Sequence, residues 1–183
     1  MIKLNNFIIL IEGQDRTGKD TLIKYLTQQL FEYSPIVIHC IGPSKKCKEP
    51  LKQSKEFYKN LLLLISNNNN NFILNRSHLG EIVYGPLYRN YDGYYVLDLE
   101  KKYLLNTDKN VILISLIDSS YKNIKREDGD SLSNNTEDIN NEIKQFKNMY
   151  ELSNIKNKLF IDINNKIIED VRYEVINFLK EIN

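Results

Sequence analysis

The stretch at residues 7–26, FIILIEGQDRTGKDTLIKYL, restricts what this chain can fold into more than any other part of it. An unbroken apolar run over residues 7–11 ends at Glu12 and Gly13. Gly18, Lys19, Asp20 and Thr21 then open a segment with apolar residues at Leu22, Ile23 and Leu26. The order is strand, glycine loop, helix. Gly13, Gly18 and Lys19 fit the phosphate-loop pattern G-x-x-x-x-G-K-[ST], except that Asp20 stands at the hydroxyl position and Thr21 follows one place later. A triphosphate is held in such a loop by backbone N–H groups and by the positive end of the following helix. Its expected ligands are therefore Gly13, Gln14, Asp15, Arg16, Thr17, Gly18, Lys19, Asp20 and Thr21, with the N–H groups of residues 13–19 aimed inward. The glycines permit the turn and the close approach, and Lys19 bridges the outer phosphates as a point charge.

Length and charge bound the remainder. The chain has 183 residues and a formal net charge of +1. That suits one domain, residues 1–183, without a linker-like division. A balanced charge advertises no nucleic-acid or acidic membrane partner. Cys40 and Cys47 are too few for a disulfide framework or a zinc site, so a reduced, cytoplasmic setting is expected. No signal peptide is read at the start, and the apolar run at residues 61–65 is far too short to span a bilayer. The asparagine run at 67–71 reads as a surface loop.

Strand and helix patterns alternate along the chain. Residues 36–41 read as a second buried strand, 51–66 as a helix with Phe57, Leu61 and Leu64 on one face, and 72–75 as a third strand. Residues 78–90 read as helical but interrupted at Gly85-Pro86, and 94–105 as another helix. A fourth strand is expected at 111–117, a short helix at 119–125 and a charged loop at 126–135. Thr136 is the expected N-cap of a helix reaching Leu152. The fifth strand is 158–163 and the closing helix 167–181. Five short apolar strands separated by helices predict an α/β fold, a five-stranded parallel sheet covered by helices on both faces.

Ligands in such sheets bind beyond the carboxyl ends of the strands. The rule gathers Asp15, Arg16 and Lys19, His39 and the lysines at 45, 46 and 48, Asn75 and Arg76, and Asp118 into one cleft. His39 and His78 themselves read as structural histidines in apolar neighbourhoods.

These residues carry a family resemblance. The stretch EGQDRTGKDT is similar to the phosphate loop of thymidylate kinases, E-G-x-D-x-x-G-K-x-T. Asn75-Arg76-Ser77 with Val83-Tyr84 resembles the same family's D-R-Y…A-Y-Q segment, and Glu142, Phe146 and Tyr150 its E…F…Y helix. The Gly-Lys-Asp-Thr version of the loop also resembles some phage-type deoxynucleoside monophosphate kinases, which points to a viral protein. The resemblance implies the fold of a P-loop nucleotide kinase, ATP as donor with Mg²⁺, conversion of dTMP to dTDP, and a homodimer. Apolar faces at 79–84 and 94–103 are the candidate contacts of that homodimer. The expected setting is the cytoplasm, or the host cytoplasm if the protein is viral.

Roles follow residue by residue. Phosphoryl transfer is mostly positioning and charge neutralisation, and Lys19 supplies the first cation. By resemblance, Arg16 stabilises the transferring phosphoryl group and Asp15 accepts from the sugar 3′-hydroxyl. Thr21 or Asp20 takes Mg²⁺, a cation that prefers hard oxygen ligands. Arg76 matches phosphate geometry with its fork, and the family's corresponding arginine contacts the acceptor monophosphate. Tyr84 stands at the family's base-pocket tyrosine, followed by Gly85 where the family has glutamine. Phe57 and the tyrosines at 91, 94 and 95 are candidates to stack on a base. The segment at about 125–136 resembles the lid of nucleotide kinases, with Lys125 and Arg126 adding positive charge and Arg126 counted as catalytic.

After the second strand the chain carries lysines and no acid before Glu49. A nucleoside kinase needs a carboxylate there to deprotonate a hydroxyl, whereas an acceptor phosphate is already ionised. A deoxynucleoside kinase, or a kinase of 5-hydroxymethyl-pyrimidines in nucleotides or DNA, is the alternative. A non-enzymatic nucleotide switch lacks its guanine-reading Asn-Lys-x-Asp here.

Overall fold

The structure is a computed structural model that describes residues 2, 4–44, 46–121 and 135–182. Five strands, β1 Phe7–Gly13, β2 Ile36–His39, β3 Phe72–Asn75, β4 Asn110–Ile117 and β5 Asn157–Asp162, form one sheet in the order β2-β3-β1-β4-β5. Every neighbouring pair is parallel. The helices are α1 Lys19–Gln29, α2 Pro50–Ser66, α3 Gly80–Tyr88, α4 Tyr95–Leu99, α5 Thr136–Leu152 and α6 Ile168–Glu181. A π-helical turn, Glu100–Leu104, extends α4.

Alternation along β1 sends Ile8 and Leu10 into one apolar layer and Phe7, Ile9 and Ile11 into the other. The first layer is completed by α2, α3, α4 and α5 through residues such as Leu62, Val83, Val96 and Phe146. The second is completed by α1 and α6 through Leu26, Val175 and Leu179. Both faces of β1 are dry, so its side chains are apolar without interruption until Glu12. Each such buried aliphatic side chain contributes about 1.5–3 kcal/mol. The expected α/β class and the five-stranded parallel sheet are found.

Several local expectations are corrected. Strand β2 is not buried: it has β3 on one side only, and Ile36 and Val37 are both exposed. Helix α2 buries Ser54, Tyr58, Leu61, Leu62 and Ile65, while Phe57 and Leu64 face outward, a rotation of the expected stripe. Helix α3 runs unbroken through Gly85 and Pro86. Proline is tolerated because it falls near the helix end, where a single intrahelical bond is lost, and buried Ile82, Val83 and Tyr84 hold the rest. Those residues belong to the chain's own core, so 79–84 is no exposed face for a partner. Ser119 and Ser120 form a turn rather than the start of a helix, and residues 122–125 lie outside the described residues. Asn135, not Thr136, caps α5, its side chain accepting from the Asp138 N–H at 2.9 Å. Asparagine serves that position at least as well as threonine.

Candidate active site at the carboxyl edge of the sheet

Strand β1 lies between β3 and β4, so the loop that follows it sits at the switch point of the sheet. Gly13 ends the strand with φ +146, and a Cβ there would stand 2.2 Å from the Leu116 carbonyl oxygen. What glycine permits is thus the approach of β4. The Gln14 N–H donates to that same carbonyl at 3.3 Å and is not aimed inward as expected. The buried Gln14 side chain braces two other elements, accepting from the Asp118 N–H at 3.1 Å and donating to the Ile139 carbonyl at 3.4 Å. Thr17 donates to the Gln14 carbonyl at 2.8 Å. Gly18 takes φ +83 as the N-cap of α1, with open space around its missing Cβ, so the backbone conformation alone demands it.

Lys19 is buried and folds back on the loop, donating to the carbonyls of Gly13, at 2.9 Å, and Gln14. Burial lowers its pKa to about 8, helped by the nearby Arg76 guanidinium and opposed by Asp15, Glu12 and Asp20.

The end of β3 supplies the second cation. Arg76, at φ +63, pairs with Asp15, and its guanidinium lies 5.5 Å above the Tyr84 ring. Tyr84 is locked from beneath by Phe146, edge-on at 5.9 Å, and by Tyr88, stacked at 6.1 Å. Its hydroxyl is buried without a partner among the described residues. Glu12 fixes this corner: its Oε1 accepts from the Ser77 N–H at 2.7 Å, the Ser77 hydroxyl at 2.6 Å and the Gly80 N–H at 3.0 Å. One carboxylate thereby ties β1 to the residue after Arg76 and to the start of α3, where the helix favours an anion. Burial pushes the Glu12 carboxyl up, and the Ser77 hydrogen bonds oppose it. Sequence reasoning treated Glu12 only as a motif letter; the signal was an acid closing an apolar strand.

Across from Arg76, buried Glu142 accepts from the Tyr88 hydroxyl at 2.6 Å, and burial again raises its pKa. Phe146 belongs to the site as packing under Tyr84. Tyr150 does not, since its hydroxyl donates to the Lys158 carbonyl at 3.0 Å. On the β2 side Asn75 donates to Asp20 Oδ1 at 2.5 Å, and His39 Nδ1 lies 3.5 Å from the same amide nitrogen. His39 is exposed at this strand end, not enclosed by apolar neighbours. His78 is fully buried, 3.8 Å from Glu100. Asp20 is therefore brought to the end of β3, while Thr21 is exposed on α1. Glu49 precedes α2 and pairs with Lys52 at 3.6 Å. Lys45, Lys125 and Arg126 lie outside the described residues, as does most of the expected lid.

Two cavities bear on the site, one of them against the loop. One of about 320 Å³ lies between Arg16, Thr17 and Gly18 and the start of α6, with Ile163, Ile167 and Arg172 in its wall. No sequence signal marked these last three. A smaller one, about 80 Å³, lies beyond the end of β2 and is lined by Gly42, Pro43, Gln53, Ser54, Phe57 and Tyr58. Phe57 is thus at a cavity, edge-on to Tyr58 at 5.0 Å. The hydroxyls of Tyr91 and Tyr95 both turn to Glu81. Gly85 has a packing reason: a Cβ there would stand 2.9 Å from the Tyr91 carbonyl oxygen.

No protein-family model matches the chain, and no curated protein matches it significantly. Solved structures do. The YorR protein of Bacillus subtilis, in complex with phosphorylated GDP, superposes with a TM-score of 0.67 at 20% identity, covering 96% of both chains. The thymidylate kinase of Candida albicans gives 0.56 at 20% identity over 99% of this chain and 95% of that one. A deoxyadenosine kinase from M. mycoides with bound dATP gives 0.57 at 16% identity over 94% and 99%. The fold is that of the P-loop nucleotide kinases. Among the described residues no helix is long and apolar enough to cross a membrane, and no three His, Cys, Asp or Glu side chains converge as metal ligands.

Proposed function

We propose that this chain transfers the γ-phosphoryl group of ATP to a deoxynucleoside monophosphate, with dTMP, yielding dTDP, as the first acceptor to test. The observation that carries the reading is the pair of cations on opposite sides of one loop. Lys19, buried against the loop carbonyls, is assigned to the donor, and Arg76, held over Tyr84 at the neighbouring strand end and paired with Asp15, to the acceptor.

The donor's phosphates lie along Gly13 to Thr21 and its base in the cavity of about 320 Å³, against Ile163 and Ile167. Lys19 leaves the carbonyls of Gly13 and Gln14 for the outer phosphates. Arg76 gives up Asp15 for the acceptor phosphate, and Asp15 is then free to accept from the sugar 3′-hydroxyl. An oxygen of the ionised acceptor phosphate forms the new bond to γ-phosphorus as the bond to the β-phosphate oxygen breaks, so no general base is required. Arg16, and Arg126 from outside the described residues, are assigned to the charge of the transferring group by resemblance.

The donor's Mg²⁺ fits the local oxygens. Asp20 accepts from the Asn75 amide nitrogen, while Asn75 Oδ1 is buried without a partner among the described residues, and Thr21 is one residue on. Such groups hold a hydrated Mg²⁺ through water, and the ion would neutralise phosphate charge there. The acceptor's base belongs in the cavity beyond β2, beside Phe57.

A deoxynucleoside acceptor, or a 5-hydroxymethyl-pyrimidine, is the second reading. It is favoured by two carboxylates, Asp15 and Glu142, beside Arg76, of which Asp15 would act as base. Incubation with ATP and a panel of deoxynucleoside monophosphates, nucleosides, 5-hydroxymethyl-dUMP and modified duplex DNA, with product identification, separates the two. A diphosphate product supports the first reading, and phosphorylation of hydroxyls alone replaces it with the second. A homodimer is proposed from resemblance; sedimentation velocity at micromolar concentration checks it.

A further inference from the structure

The cavity beyond β2 touches, at two points, a buried network that the phosphate chemistry does not use. At its centre is Glu81 on α3, 1% exposed. Glu81 Oε1 accepts from the Arg89 guanidinium at 2.5 Å; its Oε2 accepts from the Tyr91 hydroxyl at 2.5 Å and the Tyr95 hydroxyl at 3.3 Å. The first point of contact is Ser54, which lines the cavity and whose Oγ lies 3.4 Å from the Tyr91 oxygen. The second is Gly42, also in the cavity wall: a Cβ there would stand 2.0 Å from an Arg89 guanidinium nitrogen.

Counting protons gives this network a direction. A carboxylate paired with a guanidinium has none to offer, so the single phenolic proton of Tyr91 goes to Glu81. Burial and the bond to Glu81 both push the Tyr91 phenol up, which keeps that proton in place. The contact between Ser54 and Tyr91 then runs one way, with Ser54 donating. Tyr95, which also gives its phenolic proton to Glu81, is a second acceptor for Ser54, so towards either phenol Ser54 is the donor and it turns its lone pairs to the cavity.

We infer that Glu81 is a positioning residue that sets the hydrogen-bond polarity of this cavity through Tyr91 and Ser54. The cavity then selects a planar ring that brings an N–H donor to Ser54, with Phe57 against the ring face. The inference rests on the placement of the acceptor's base given above. It makes Glu81, Tyr91 and Ser54 specificity determinants without any of them touching a phosphate.

Calorimetric titration of the intact protein tests it, using each of the four deoxynucleoside monophosphates beside a counterpart whose Watson–Crick-edge N–H groups are fully methylated. For the preferred base the parent is expected to bind about tenfold or more tighter than its methylated form. In Ser54→Ala that ratio falls towards one. Glu81→Gln gives a sharper outcome. Arg89 holds the amide oxygen, so the amide nitrogen donates to the Tyr91 oxygen. Tyr91 then donates to Ser54, and the Ser54 proton turns into the cavity, shifting preference from a donor edge to an acceptor edge. Tyr91→Phe, with its fold checked by circular dichroism, leaves Ser54 only the Tyr95 oxygen as acceptor and gives an intermediate ratio. A merely structural role for Glu81 would weaken all ligands alike and leave the ratio at its wild-type value. An unchanged ratio in folded Ser54→Ala and Glu81→Gln overturns the inference, as does equal binding of every pair, or no binding at all, by the wild type. If no monophosphate is turned over but the ratio holds, the proposed reaction falls and this inference stands.

Discussion

Arg76 and Asp15, 61 positions apart, form an ion pair between the end of β3 and the loop after β1. Asp15 therefore occupies the guanidinium that the proposed reaction assigns to the acceptor phosphate. A carboxylate and a phosphate ask for the same fork of donors, so acceptor binding exchanges one anion for another.

Arg76→Lys keeps the charge and loses the fork. The acceptor KM is expected to rise and kcat to fall, with kcat/KM down by at least about tenfold and the ATP KM unchanged. Steady-state kinetics with each substrate varied in turn checks this. A change in the ATP KM alone would reverse the assignment of the two ends.

Lys19→Met should abolish turnover and stabilise the ligand-free protein. The folded pKa of Lys19, about 8, lies below the ordinary value of 10.5. Below pH 8 both states are protonated and the burial cost is full. Between about 8 and 10.5 the unfolded chain binds more protons, so wild-type stability rises with pH. The variant is expected to be more stable by roughly 1–3 kcal/mol at pH 7. Its advantage shrinks as pH rises through that window. Denaturant melts at pH 7 and pH 10 measure it, and an advantage independent of pH would contradict the buried cation.

Gly85→Ala places a methyl group against the Tyr91 carbonyl and ring. Overpacking of this kind costs about 1–3 kcal/mol, read as a lower Tm. A neutral result would mean that the Tyr91 segment moves freely away from α3.

Ile167→Ala removes apolar surface from the cavity beside the loop. The ATP KM is expected to rise about three- to tenfold with the acceptor KM unchanged. An effect on the acceptor instead would place the donor's base elsewhere.

Short-range chemistry was legible before any fold was known. The apolar run at 7–11, the left-handed Gly18 and the periodicity of the later helices are local, and they were enough for the strand, loop and helix order and for the five-stranded sheet. Lys19, Asp15, Asn75 and Arg76 were legible as one cleft because parallel sheets gather their strand ends.

How those ends are wired depends on the packing of distant elements. An apolar strand does not announce whether it has one neighbour or two, so β2 read as buried and stands at the edge. The rotation of α2 followed the surfaces available to it rather than its own pattern. Gln14 looked like a phosphate ligand and braces β4 and α5. Gly85 stood out only as a glycine where the resembling family has glutamine, and in the fold a Cβ there would meet Tyr91. Ser54, Glu81, Arg89, Tyr91 and Tyr95 come from three helices, α2, α3 and α4, and the segment between α3 and α4. Their hydrogen bonds exist only where those elements pack together, because an acceptor can choose its donor only once both are held within reach.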